Sequence, residues 1–161
     1  MSMQRDLDYE VVDKHTVKTV KSQVDAAVDQ AKEHVKTVKA MGEARIDQAK
    51  AAGKEAVSQA KSEAKMVKEQ AKAELDALED RYDENGQPYG GRSLQAAKAK
   101  VDMTREEADS RVDQVKAASK AAEKSAKADK YEDVSAAKAD VDRIKAAGEK
   151  AVSHAKALSN K

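Results

Sequence analysis

The sequence predicts an all-α protein: two long amphipathic helices joined by one loop, folded back as a helical hairpin or extended, and marginally stable or disordered in dilute solution. Three observations carry this expectation. Small and apolar residues recur every eleven positions: Val20, Val24, Ala27; Ala31, Val35, Val38; Gly42, Ile46, Ala49; Gly53, Val57, Ala60. Eleven residues make three helical turns at about 3.67 residues per turn, so this stripe stays on one side of a nearly straight helix. Helix breakers are concentrated in one segment, 83–92, which holds the single proline and three of the six glycines. Finally, half of the 40 % apolar content is alanine, and Phe, Trp and Cys are absent. Alanine buries little area, so a burial gain of about 25 cal/mol per Å² has little to act on. The ordering cost of about 1–2 kcal/mol per backbone residue is not reduced to match.

The elements follow in order. Residues 1–9 are expected to fray, with Asp8 and Asp13 as candidate helix caps. The first helical arm covers 10–82, about 110 Å at 1.5 Å per residue. Its stripe continues through Ala64 and Ala71 to Leu75 and Tyr82, interrupted at the middle position by Lys68. The loop covers 83–93: Asn85-Gly86 and Gly90-Gly91 are turn dipeptides, and Pro88 cannot continue a helix. Tyr82 and Tyr89 bracket this loop and are expected to pack it. Ser93 is the candidate cap of the second arm, 94–158, and 159–161 fray again.

The second arm repeats the first. Ala147-Gly148-Glu149-Lys150-Ala151-Val152-Ser153-His154-Ala155-Lys156 echoes Ala52-Gly53-Lys54-Glu55-Ala56-Val57-Ser58-Gln59-Ala60-Lys61. Counted back from Gly148 the stripe reads Ala137, Val141, Ile144. Near the start of the arm it reads Ala97 and Val101, then Ala108, Val112 and Val115. The two phases do not join, and residues 116–130 hold nothing apolar larger than alanine, so this is the expected weak stretch. Gly42, Gly53 and Gly148 each cost about 1 kcal/mol against alanine inside a helix. They are either tolerated weak spots or places where another backbone or a lipid surface approaches closely.

If the arms fold back, the apolar interaction stripe is Val20, Val24, Val35, Val38, Ile46 and Val57 on the first, with Val112, Val141, Ile144 and Val152 on the second. Lysines border it at the positions one and eight after each stripe start. Lys39, Lys50, Lys61 and Lys72, with Lys145 and Lys156, are the expected contacts to an anionic surface. Asp25, Asp29, Glu33, Asp47, Glu55 and Glu69 lie on the far face. Lysine stems can lie along an apolar face while their ammonium groups reach headgroups. The same layout also suits a solvated helix held by weak charge pairs.

Several chemistries find no support. With 31 basic and 30 acidic residues the net charge is +1, without the basic excess that nucleic acid requires, so no specific nucleic-acid partner is expected. No stretch has the roughly 18–20 apolar residues of a membrane span. The acidic start, with Asp6, Asp8 and Glu10, fits neither a secretory nor a mitochondrial leader, so the expected location is cytoplasmic. His15, His34 and His154 lie far apart, without metal-ligand spacing. No glycine-rich phosphate loop or nucleophile arrangement stands out, so no enzyme, cofactor or metal site is expected.

Units such as Ala51-Ala52-Gly53-Lys54-Glu55-Ala56-Val57-Ser58-Gln59-Ala60-Lys61 and Ala64-Lys65-Met66-Val67-Lys68-Glu69-Gln70-Ala71-Lys72-Ala73 resemble the eleven-residue repeats of group 3 late embryogenesis abundant proteins. The resemblance covers about 20–80 and, less closely, 95–157; valine is more frequent here and threonine rarer. It implies a non-enzymatic stress protectant, disordered in water and helical on drying, that shields membranes or client proteins during desiccation or freezing. Two other readings stand beside it: a lipid-surface coat resembling exchangeable apolipoproteins, and a structural helical hairpin that self-associates.

Overall fold

The computed structural model describes the backbone over residues 2–80 and 91–159, and side chains over 16–80 and 94–159. It contains two long helices and no strand among the described residues: α1, Ser2–Glu79, and α2, Gly91–Ser159. Helix α1 begins at Ser2, inside the stretch expected to fray. Nothing in that stretch opposes helix, since it holds neither Gly nor Pro. It ends at Glu79, and one further backbone bond, from Asp80 N to Asp76 O at 3.1 Å, closes the last turn. Helix α2 starts at Gly91, two residues before the expected cap. The expected loop contacts of Tyr82 and Tyr89 lie outside the described residues.

Long helices form here because nearly every position suits them. Alanine, lysine and glutamate are strong helix formers, and proline is absent from both helices. Thr37 and Thr104 keep their hydroxyls satisfied by donating to the carbonyls four residues back, Glu33 O at 3.1 Å and Lys100 O at 2.8 Å.

The two helices contribute to two compact units, 1–44 with 127–161, and 45–126. In the first, a strand-free core gathers Val35, Ala137 and Val141, with Ala31 and Val38 packed against it. Ala137 is the most buried at 3 % exposure, and Ala155 is buried in the same unit. In the second, Ile46, Ala60, Ala71, Val101, Ala108 and Val112 are buried. Five of these ten buried residues are alanine. Among the described residues no side chain is fully enclosed, and no polar or charged residue is buried. Each unit is therefore an antiparallel helix pair with a narrow seam, and the seam's small residues limit how much burial can stabilise it.

Candidate functional site

The seam follows the eleven-residue count closely. Along α1 the covered positions are Val20, Val24, Ala27; Ala31, Val35, Val38; Gly42, Ile46, Ala49; Gly53, Val57, Ala60; Ala64, Lys68, Ala71. Along α2 they run Ala97, Val101, Thr104; Ala108, Val112, Val115; Ser119, Glu123, Ala126; Lys130, Val134, Ala137. Thus Val35, Ile46, Val112 and Val141 are buried, while Val20, Val24, Val38, Val57, Ile144 and Val152 are half-buried. The apolar stripe of each helix faces the other helix of its unit.

The expectation that the two stripe phases of α2 do not join is corrected. The stripe runs through 116–130 without a gap, carried by Ser119, Glu123, Ala126 and Lys130. These were invisible to a count of apolar residues because three of the four are polar. The two phases join by a single shorter step: after Ala137 the covered positions are Val141, Ile144, Gly148, Val152 and Ala155. One seven-residue interval there replaces an eleven-residue one, which moves the stripe to its new phase. In α1 three half-buried residues fall off the count, Val17, Val28 and Leu78, and Val28 follows Ala27 four positions past Val24. Ile144 lies the same distance before Gly148.

The glycines mark places of close approach, and within the chain it is side chains of the opposing helix that approach them. In the first unit, a Cβ on Gly148 would lie 3.2 Å from Val24 Cγ2 and collide with Cγ1. A Cβ on Gly42 would lie 2.9 Å from Lys130 Cβ and collide with Cγ. The missing side chain lets the Lys130 stem cross the seam, and its ammonium pairs with Glu43. In the second unit, a Cβ on Gly53 would lie 3.0 Å from Ser119 Cβ. The Ser119 hydroxyl faces Gly53 O at 3.5 Å, a separation too long for a strong bond.

Polar residues in the seam turn their charges outward. Lys68 pairs with Asp109, and Lys50 with Glu123 at 3.9 Å. These pairs are substantially exposed, so each contributes well under about 1 kcal/mol.

The two flanks of the seam in the 45–126 unit differ in charge. On one flank two hollows that share Lys61 and Lys116 are lined by seven lysines, Lys50, Lys54, Lys61, Lys65 and Lys68 from α1 with Lys116 and Lys120 from α2, and by four acids, Glu69, Asp109, Asp113 and Glu123, over a floor that includes Gly53, Val57 and Val112. The border positions of both helices thus converge on one side, because antiparallel helices turn equivalent positions to the same flank. The other groove is lined by Glu63, Glu106 and Glu107 with Arg111, over Ala60, Ala64 and Val67. Val67 is 41 % exposed, and Met66 and Met103 are exposed as well.

The lysines expected to meet an anionic surface, Lys39, Lys50, Lys61, Lys72, Lys145 and Lys156, are all exposed. Lys50 and Lys61 share the lysine-walled groove. Among the described residues no group of acids and histidines is arranged to hold a metal ion. His34 lines a groove of the first unit beside Asp140 and Arg143, which pair with each other. The His15 side chain lies outside the described residues. No described helix is long and apolar enough to cross a membrane. No protein-family model, curated protein or solved structure matches the chain.

Proposed function

We propose that this chain is a non-enzymatic protectant that acts through its long helices on membranes or client proteins as water is withdrawn. The observation that carries the proposal is the seam. In each unit it is narrow and built mainly from alanine, glycine and valine, with no fully enclosed side chain among the described residues; it admits Lys130 in one unit and Ser119, Glu123 and Lys68 in the other. Such a seam is marginal in dilute water, where hydrophobic burial is its main support. Drying removes that support, because apolar surface gains by leaving water only while water is present. It also strengthens the demand that backbone groups bond internally, which a helix meets within itself. The helices then persist while their partners become exchangeable. The stripe is freed for acyl chains or exposed client surface, and the bordering lysines for anionic headgroups or carboxylates.

The lipid-coat reading shares this chemistry and differs in needing no drying. The test is leakage of a trapped dye from anionic vesicles dried and rehydrated with the protein, beside recovery of a dried, desiccation-sensitive enzyme. Protection is expected at protein-to-lipid ratios where an equal mass of an unrelated folded protein gives none. No protection in either assay would refute the proposal. Helix gain on hydrated vesicles without protection on drying would favour the coat.

A further inference from the structure

We infer that the two flanks of the 45–126 unit are complementary docking surfaces for one another, so that a second copy of this chain seats its glutamate-walled groove on the lysine-walled groove of the first. The lysine flank carries seven lysines against four acids, and two of those lysines are already paired, with Glu123 and Asp109. Among the described residues, Lys54, Lys61, Lys65, Lys116 and Lys120 make no ion pair there. The opposite flank carries three glutamates against one arginine. The chain as a whole is nearly neutral at +1, so its copies do not repel, while an excess of lysine lies on one side of the seam and an excess of glutamate on the other. A lipid surface or a polyanion would use only the lysine flank. A second copy uses both, and it also covers the apolar floors beneath them, with Val67 on one side and Val57 on the other.

Because the two surfaces differ, the contact is heterologous, and each added copy presents a fresh flank for the next. The expected product is open-ended lateral assembly without a fixed stoichiometry, weakened by salt that screens exposed charges beyond about 10 Å at 0.1 M.

Sedimentation of the full chain tests this. The weight-average mass should rise with concentration above the 17.4 kDa monomer at low salt and return toward it at high salt. Lys54→Glu/Lys61→Glu/Lys65→Glu makes both flanks acidic, and Glu63→Lys/Glu106→Lys/Glu107→Lys makes both basic. Each variant alone should remain monomeric, and mixing the two should restore association. Neutral sets, with glutamine at the same positions, should weaken association by about tenfold or more, a change of about 1.4 kcal/mol, and they stand in if a charge-reversed variant loses its helical circular dichroism. A wild type that stays monomeric, variants that associate alone as the wild type does, or a mixture that fails to associate would each overturn the inference. Vesicle and enzyme protection by monomeric chains would leave the proposed function intact, so the two ideas fail separately.

Discussion

Gly148→Ala puts two effects of known size in opposition. Inside a helix the exchange gains about 1 kcal/mol, because glycine pays the larger backbone entropy. Against that, the new methyl would collide with Val24 Cγ1 and lie 3.2–3.3 Å from Cγ2 and Cβ. Val24 is β-branched, and in a helix one χ1 well dominates, so it cannot swing aside. Overpacking of this kind costs about 1–3 kcal/mol. The net expectation is a loss of up to about 2 kcal/mol in the paired state. Val24→Ala alone removes a half-buried side chain and costs about 1 kcal/mol, roughly half of full valine burial. In the double variant the methyl fits and the helix gain returns, so stability should fall within about 0.5 kcal/mol of wild type, within the additivity error for independent sites. The cycle therefore gives a favourable coupling of at least about 1 kcal/mol, as expected for residues in contact. Urea titration followed by circular dichroism at the helical band measures all four proteins. If Gly148→Ala raises the midpoint and shows no coupling to Val24→Ala, the close approach at this point of the seam is refuted.

Ala137→Leu should destabilise by about 1–3 kcal/mol, since Ala137 is the most covered residue at 3 % exposure, whereas Ala51→Leu on the open face should be near neutral in the same urea titration. Thermal unfolding should be broad and centred below about 60 °C, and a sharp transition above that would show a seam stronger than its alanines account for. Replacing Lys39, Lys50, Lys61 and Lys72 with glutamate should abolish any helix gain on anionic vesicles, because each lysine near such a surface contributes on the order of 1 kcal/mol. Retained vesicle binding, read by flotation, would show that the lysine border is not the contact. Lys68→Gln and Asp109→Asn should each shift stability by less than about 1 kcal/mol, as exposed pairs do, and a larger shift would mean that this pair fixes the alignment of the helices.

Much of this architecture was legible in the residues. The eleven-residue count identified the covered face of α1 from Val20 to Ala71, including the place of Lys68, because side-chain direction in a helix depends on position rather than chemistry. The same count, followed only through apolar residues, lost α2 between Val115 and Tyr131. There the opposing helix offers Gly42 and Gly53, and a lysine stem or a serine fills the space that a valine fills elsewhere. The role of those glycines depended on what stands across the seam, which no single-helix pattern contains. The short step after Ala137 was visible only as a mismatch of phases. The lysine border was readable on each helix, but its convergence into one groove required the antiparallel pairing.

The evenness of the repeat has a consequence for how the helices select one alignment. If α2 slides by eleven residues along α1 in the 45–126 unit, stripe again meets stripe, whereas in the other unit the seven-residue step after Ala137 puts Ile144 opposite the exposed Lys39. Gly148 would face Val35 in place of Val24, a like-for-like exchange, whereas Gly42 would lose the lysine stem it accommodates. The correct alignment is thus separated from its neighbours by a handful of misfits rather than by the loss of a core. Evenly spaced registers are near-degenerate minima, so selection of one alignment falls to the few places where opposing residues are matched by size, such as Gly42 beneath the Lys130 stem.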